Sequence, residues 1–221
     1  MTVGAHPPPK LAQLCRSWSA LLSGLGDEEA RMAAIRRELP GLLADRALFN
    51  GILASVAKGG GFPDTRLGTM FDNEFILHQD RARRFSLRMY LFGAGEHTPV
   101  HDHGSWGVSG AVMGRLEVVR FRREDDGSEP GRARLAETGR TVLAPGAVEL
   151  TLPLERGIHA TGSPDDGTTL MVSVYGPPTR RLHILEYDPG AGRVRRVFPP
   201  RIRKRTLAAQ ALEEIGGGES G

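Results

Sequence analysis

His101 and His103 stand two positions apart in the run Thr98-Pro99-Val100-His101-Asp102-His103. On a strand, residues i and i+2 project from the same face, so two imidazoles enter one space. Neutral imidazole is a common ligand for divalent first-row metals, and a pair on one face is part of a chelating site. Taken alone, such a pair is equally a polar strand edge or a satisfied interior pair. A third ligand has to come from another segment. His159, in Gly157-Ile158-His159, would sit on a separate strand that a barrel interior can bring alongside. His78, His97 and His183 are assigned to the surroundings of that site or to the surface.

Two segments carry the other chemistry. Across 85–92 alternation sets Phe85, Leu87, Met89 and Leu91 on one face and Ser86, Arg88, Tyr90 and Phe92 on the other, the second facing the interior. An inward arginine needs an anion, and its fork of donors suits a substrate carboxylate. The alternatives are an outward, solvated arginine or a structural pair with an acid. Across 168–175, Thr169, Met171, Ser173 and Tyr175 share one face and Leu170, Val172 and Val174 the other, which points Tyr175 toward His159. Its hydroxyl is a hydrogen-bond donor for catalysis or simply barrel packing. Tyr90, Ser173 and Arg181 complete the candidate substrate contacts, with Trp106 as a cavity roof or a packing residue.

These side chains need a scaffold, and the pattern changes once along the chain. From Lys10 to Lys58 apolar residues recur at three and four, with Leu11, Leu14, Trp18, Leu21 and Leu22 in one stripe. Asp27 caps a second helix with Glu28 and Glu29 in its first turn, and Pro40 is expected to break or kink the run before 42–56 resumes it. Gly59, Gly60, Gly61 and Pro63 form a loop. Beyond it, strands are expected at 85–92, 108–113, 115–121, 141–143, 148–152, 168–175 and 182–187, with a tight turn at Met113-Gly114-Arg115. Helices followed by strands argue for an antiparallel β fold covered by helices on one side. The expected division is 1–69 helical, 70–200 barrel, and 201–221 a short helix with a disordered tail.

Composition narrows the function classes. With 221 residues, 39% hydrophobic and 25% charged, the chain can bury a core and is not a disordered one. No apolar run reaches membrane-spanning length and no leader pattern opens the sequence, so a soluble, cytoplasmic protein is expected. The single cysteine, Cys15, excludes internal disulfides and sulfur-ligated zinc ribbons. Net charge is +3, but 180–205 is locally basic, with nine Arg and Lys including Arg180, Arg181, Arg193, Arg195 and Arg196. Without a stacking motif or helix-turn-helix signal, nucleic acid is not the expected partner.

The run Gly95 to His103, then Gly114, Pro145-Gly146 and His159, resembles the two-part metal motif of the cupin superfamily. Within it, Phe85-Ser86-Leu87, Thr98 to His103, Trp106-Gly107, Gly157-Ile158-His159 and Tyr175-Gly176-Pro177-Pro178 resemble the cysteine dioxygenase family, in particular its bacterial thiol dioxygenase branch. The similarity spans Asp80 to Pro178. It implies a double-stranded β-helix barrel with N-terminal helices. It also implies a mononuclear non-haem metal, typically Fe(II), with Ni(II) or another divalent ion possible, held by His101, His103 and His159. The implied reaction uses O2 to oxidise a small thiol, cysteine or a related mercapto acid, at sulfur.

The chain departs from that pattern at several positions. Gly107 and Val108 stand where many cupins place a glutamate ligand, and Gly107 where mammalian-type members carry a crosslinked cysteine, so that crosslink cannot form. The family's Ser-x-His-x-Tyr reads Met171, Ser173, Tyr175. Its early arginine falls near Glu74, which would repel a carboxylate or bind an amino group, unless Arg88, Arg180 or Arg181 has taken over. Two alternatives stay open: a metal-dependent cupin acting on a non-thiol carboxylic or keto acid, and a non-catalytic metal-binding cupin.

Overall fold

The computed structural model describes residues 6–200. The helical spacing of the first quarter resolves into α1 (Pro9–Ser23), α2 (Glu28–Leu43) and α3 (Arg46–Ala57). Asp27 caps α2 as expected, its carboxylate accepting from Ala30 N at 2.7 Å. Pro40 neither breaks the run nor ends it. It sits inside α2, forfeiting one backbone donor, while its carbonyl still accepts from Ala44 N at 3.1 Å. The break comes at Asp45, which caps α3 through Leu48 N.

The rest is β: β1 (Glu74–Gln79), β2 (Ser86–Phe92), β3 (Val100–His103), β4 (Gly107–Met113), β5 (Leu116–Arg123), β6 (Leu135–Leu143), β7 (Val148–Thr151), β8 (Leu154–Gly162), β9 (Thr169–Tyr175), β10 (Ile184–Asp188) and β11 (Arg193–Val197). They form two antiparallel sheets, ordered β1-β2-β9-β4-β7 and β11-β10-β3-β8-β5-β6. From β2 to β5 and from β6 to β10 the chain alternates between the sheets. That is the double-stranded, jelly-roll-like winding expected of the fold.

Alternation sorts side chains as the sequence predicts. Phe85, Leu87, Met89, Leu170, Val172 and Val174 join Leu11, Trp18, Ile35, Leu39 and Phe49 in a core between the helices and the outer face of the first sheet. Each such side chain contributes about 1.5–3 kcal/mol of burial. Tyr90, Phe92 and Met171 face inward, with Leu116 and Val118, between the sheets. Two strands had no sequence signal strong enough to separate them from loop or charge run, β1 and the Arg-rich β11. In β11, Arg193 and Arg195 pair with Asp188 and Glu186, so part of the basic stretch is a salt-bridged edge strand. The helix and tail expected after Arg205 lie outside the described residues.

Cys15 belongs to the helix–sheet core, 1% exposed, and burial pushes its thiol up to about 12. It is expected to resist a thiol-specific chromogenic reagent in the native protein at pH 8 and to react with a full equivalent in denaturant; rapid native labelling would contradict this packing.

Candidate metal centre and cavity

The three histidines meet because β3 and β8 are neighbours. His101 lies directly opposite His159 in the ladder. A regular continuation would set His103 against Gly157. Instead it pairs with Leu154, at φ 60, so β8 bulges where it passes the site. A Cβ at Gly157 would stand 1.8 Å from the Leu152 carbonyl oxygen, so the bulge requires glycine there. The strand that delivers His159 could not take this path with any side chain at 157.

The imidazoles converge. Their ligand atoms all lie within 4.8 Å of one another, and all three residues are buried. The Nε2 atoms of His103 and His159 are 2.8 Å apart. Two nitrogens each about 2.1 Å from a common ion stand about 3 Å apart at a right angle, so this spacing suits shared coordination. His101 Nδ1 donates to the Pro99 carbonyl at 2.8 Å, which fixes its tautomer and leaves Nε2 to face the cluster. Burial holds all three well toward the neutral form. For His103 the neighbouring His159, His101 and Arg181 add to that effect, for His159 it is His101 and Arg120, and for His101 the Pro99 carbonyl and Asp102 work against it. Three neutral, converging imidazoles with no competing proton are a donor set that fits a divalent metal.

Neutral burial has a consequence for stability without metal. The unfolded chain takes up protons at the ordinary histidine value of 6.5 while the folded cluster does not. Stability is therefore greatest above that pH and falls as acid is added, by about 1.4 kcal/mol per pH unit and histidine until the depressed folded values are reached. Unfolding midpoints of the metal-free protein between pH 8 and 5 are expected to drop below 6.5. A flat profile would mean the imidazoles are not buried as described.

The cluster opens on a cavity of about 440 Å³ whose wall includes His101, His103, Tyr90, Tyr175 and Arg88. That size lies in the range of small-ligand sites. Tyr175 stacks on His103, centroids 5.7 Å apart at 25°. Gly107 is its cross-strand partner, and a Cβ there would come within 3.0 Å of the Tyr175 ring. The absence of a side chain at 107 is thus what leaves the phenol its place. Phe71 meets His101 edge-on at 4.9 Å. It comes from the loop before β1, where no periodicity marks it in the sequence.

The substrate candidates divide. Arg88 lies on the cavity wall, but its guanidinium is paired with buried Glu74, whose other oxygen accepts from Met70 N and Phe71 N. It is the structural pair with an acid, and Glu74 is that acid. Arg181 also reaches the wall and makes a two-pronged pair with Asp102, at 2.7 and 2.6 Å. Neither is a free cation awaiting a carboxylate. Ser173 is fully buried behind the wall, 2.7 Å from Ser109. Trp106 does not roof the cavity. It shares the parity of Val108 and so turns outward into the helix–sheet core, where a Cβ at Gly176 would meet its indole at 2.2 Å. His183 lines the cavity and packs on Phe198, whereas His78 packs on Phe85 and His97 bonds to Glu117 at 3.0 Å, both outside the cluster.

No family model matches the sequence. Solved structures resemble about half of the chain. A protein from Thermus thermophilus is 23% identical over 47% of this chain and 81% of its own, with a TM-score of 0.35. A cupin 2 conserved barrel domain protein from Salinispora arenicola is 18% identical over 51% and 83%, at 0.37. A cupin superfamily protein from Desulfitobacterium hafniense is 18% identical over 47% and 75%, at 0.34. At these scores the fold rests on the strand order of the chain itself.

Proposed function

We propose that the protein is a metal-dependent dioxygenase of small thiols, with His101, His103 and His159 as the ligands of a divalent metal, Fe(II) in the first place. The observation that carries this reading is the phenol of Tyr175 stacked against a metal-competent histidine, beside Gly107, at one wall of a cavity. Those are the positions at which the sequence resembles the thiol dioxygenases. A metal bound there favours the thiolate form of a substrate and holds it beside dioxygen. In the overall reaction both atoms of O2 are added to the thiol sulfur to give a sulfinic acid. The O–O bond breaks and two S–O bonds form. Sulfur gives up four electrons and dioxygen takes four, so no further reductant is needed.

The protein's own groups bind and orient. Phe71 and the apolar wall exclude water beside His101, and Tyr175 offers a hydroxyl at the cavity face. Because Arg88 and Arg181 are each paired already, a lone carboxylate gains less here than at a free arginine.

The test is anaerobic reconstitution with Fe(II), and in parallel Ni(II), followed by oxygen uptake and product mass with cysteine, 3-mercaptopropionate and cysteamine. A thiol product heavier by two oxygen atoms is the expected result. A fully metal-loaded protein without thiol-dependent oxygen uptake would overturn the reading in favour of a non-thiol substrate or a binding role.

A further inference from the structure

A phenol hydroxyl has one proton to donate and two lone pairs to accept with. Tyr175 is half-buried against the histidine cluster, and its hydroxyl accepts a hydrogen bond from the Tyr90 hydroxyl at 3.3 Å. The two residues come from adjacent strands of the first sheet, Tyr90 on β2 and Tyr175 on β9, and both line the cavity. Behind them Ser173, two positions before Tyr175 on the same inward face, is joined to Ser109 at 2.7 Å. Burial pushes the Tyr175 hydroxyl above its ordinary value, while the hydrogen bond from Tyr90 pulls against that, as a donor to its oxygen does. For Tyr90 burial is again the first cause of a raised value, and its bond to Tyr175 acts in the same direction, as it does for a group that donates its proton.

The donor count then leaves one group unassigned. Among the described residues, Tyr90 spends its proton on Tyr175, and no protein group accepts the proton of Tyr175. With Tyr90 occupying its oxygen on the sheet side, that proton is left to the side of the cavity that also holds His101 and His103.

We propose that Tyr90 is a positioning residue, which by donating to Tyr175 holds that phenol as an acceptor on the sheet side and so presents its proton to a ligand in the cavity. This rests on the proposed function for the identity of the ligand, but not for the hydrogen-bond arrangement. Tyr90 on β2 and Tyr175 on β9 meet through their hydroxyls, so the orientation of the phenol comes from the neighbouring strand. Tyr90→Phe removes the donor while keeping the ring in its place with Phe92, with which it stacks at 6.4 Å.

The chain has three tyrosines, and the third, Tyr187, has a buried hydroxyl with no partner among the described residues, so Tyr187→Phe gives a quiet background. In that background the ultraviolet resonance Raman doublet of tyrosine, whose intensity ratio tracks whether a phenol donates or accepts, is recorded on metal-free protein. The expected spectrum of the Tyr90/Tyr175 pair differs from the sum of the Tyr90→Phe and Tyr175→Phe spectra. A simple sum overturns the assignment. With metal and thiol, Tyr90→Phe is expected to lower kcat about tenfold with KM and metal content within about twofold, and to lower nothing further in a Tyr175→Phe protein. A loss that persists without Tyr175 means Tyr90 acts only through packing, and an unchanged kcat means it orients nothing; either overturns the proposal. Absence of thiol turnover in the unmutated protein sinks the proposed function instead, since the Raman comparison stands without turnover.

Discussion

His159→Ala is expected to abolish metal binding while leaving the fold standing. Removing an outer partner that merely orients a ligand lowers metal affinity by about 10–100-fold, and removing one of three ligands costs more than that. The remaining pair, His101 and His103, comes from one strand, and two imidazoles alone cannot hold the ion against buffer. Metal analysis after dialysis should fall from about one equivalent per chain to below about a tenth. His103→Ala should behave alike, because its Nε2 lies 2.8 Å from that of His159. His97→Ala is the control, since its ring is held by the Gly95 carbonyl and Glu117, outside the cluster. A full metal complement in His159→Ala, or loss in His97→Ala, would place the metal elsewhere. Circular dichroism separates loss of a ligand from loss of structure.

What could be read from the sequence was whatever depends on neighbours along the chain. The two-residue period places His101 with His103, Ser86, Arg88, Tyr90 and Phe92 on one face, and Ser173 with Tyr175 on one face, because strand geometry alone decides it. The capping Asp27 is similarly local. The misreadings share a different origin. Whether Pro40 ends a helix depends on packing that holds the turns on either side, and one lost hydrogen bond is not decisive against a core that includes Leu39, Leu42 and Leu43. For Trp106 the sequence leaves a cavity roof and a packing role open, and the change of direction between β3 and β4 decides for packing.

The charged groups are the clearest case. A lone Arg88 on an inward face asks for an anion, and the sequence cannot say whether a substrate or another strand supplies it. The answer lies in the register of β1 with β2, which places Glu74 opposite Tyr90 and within reach of Arg88. The same antiparallel pairing explains why an acid stands where the resemblance led to an arginine: the pair is kept inside the protein. Phe71, Ser109 and Asp102 escaped notice for the same reason, since each acquires its role only from a partner far away in the chain.

Asp102 carries the second large effect. It stands between His101 and His103, and alternation turns its side chain away from theirs, where it is fully buried. Its carboxylate is held by both terminal nitrogens of Arg181 and by Leu185 N at 2.7 Å. The pair thus ties the strand that carries His101 and His103 to the segment that forms one cavity wall and leads into β10. Arg181→Ala leaves a buried carboxylate with one backbone donor, and breaking a buried pair in this way costs about 3–5 kcal/mol. Against a total stability of about 5–15 kcal/mol this is a large share, and the melting temperature should fall by on the order of 10 °C. Metal affinity should fall with it, because β3 loses the contact that fixes the backbone between His101 and His103. Replacing both partners, Asp102→Asn with Arg181→Met, removes the buried charge with its counterion, and exchanging a whole buried pair for neutral groups is close to neutral in stability. The double variant should therefore be more stable than Arg181→Ala and regain most of the metal affinity. Denaturant unfolding and metal titration of the single and double variants check both statements. If Arg181→Ala costs less than about 1 kcal/mol, the guanidinium is not what sustains the buried carboxylate. If instead the single and double variants are equally destabilised, the arginine matters for its packing against the wall and the charge pairing is incidental.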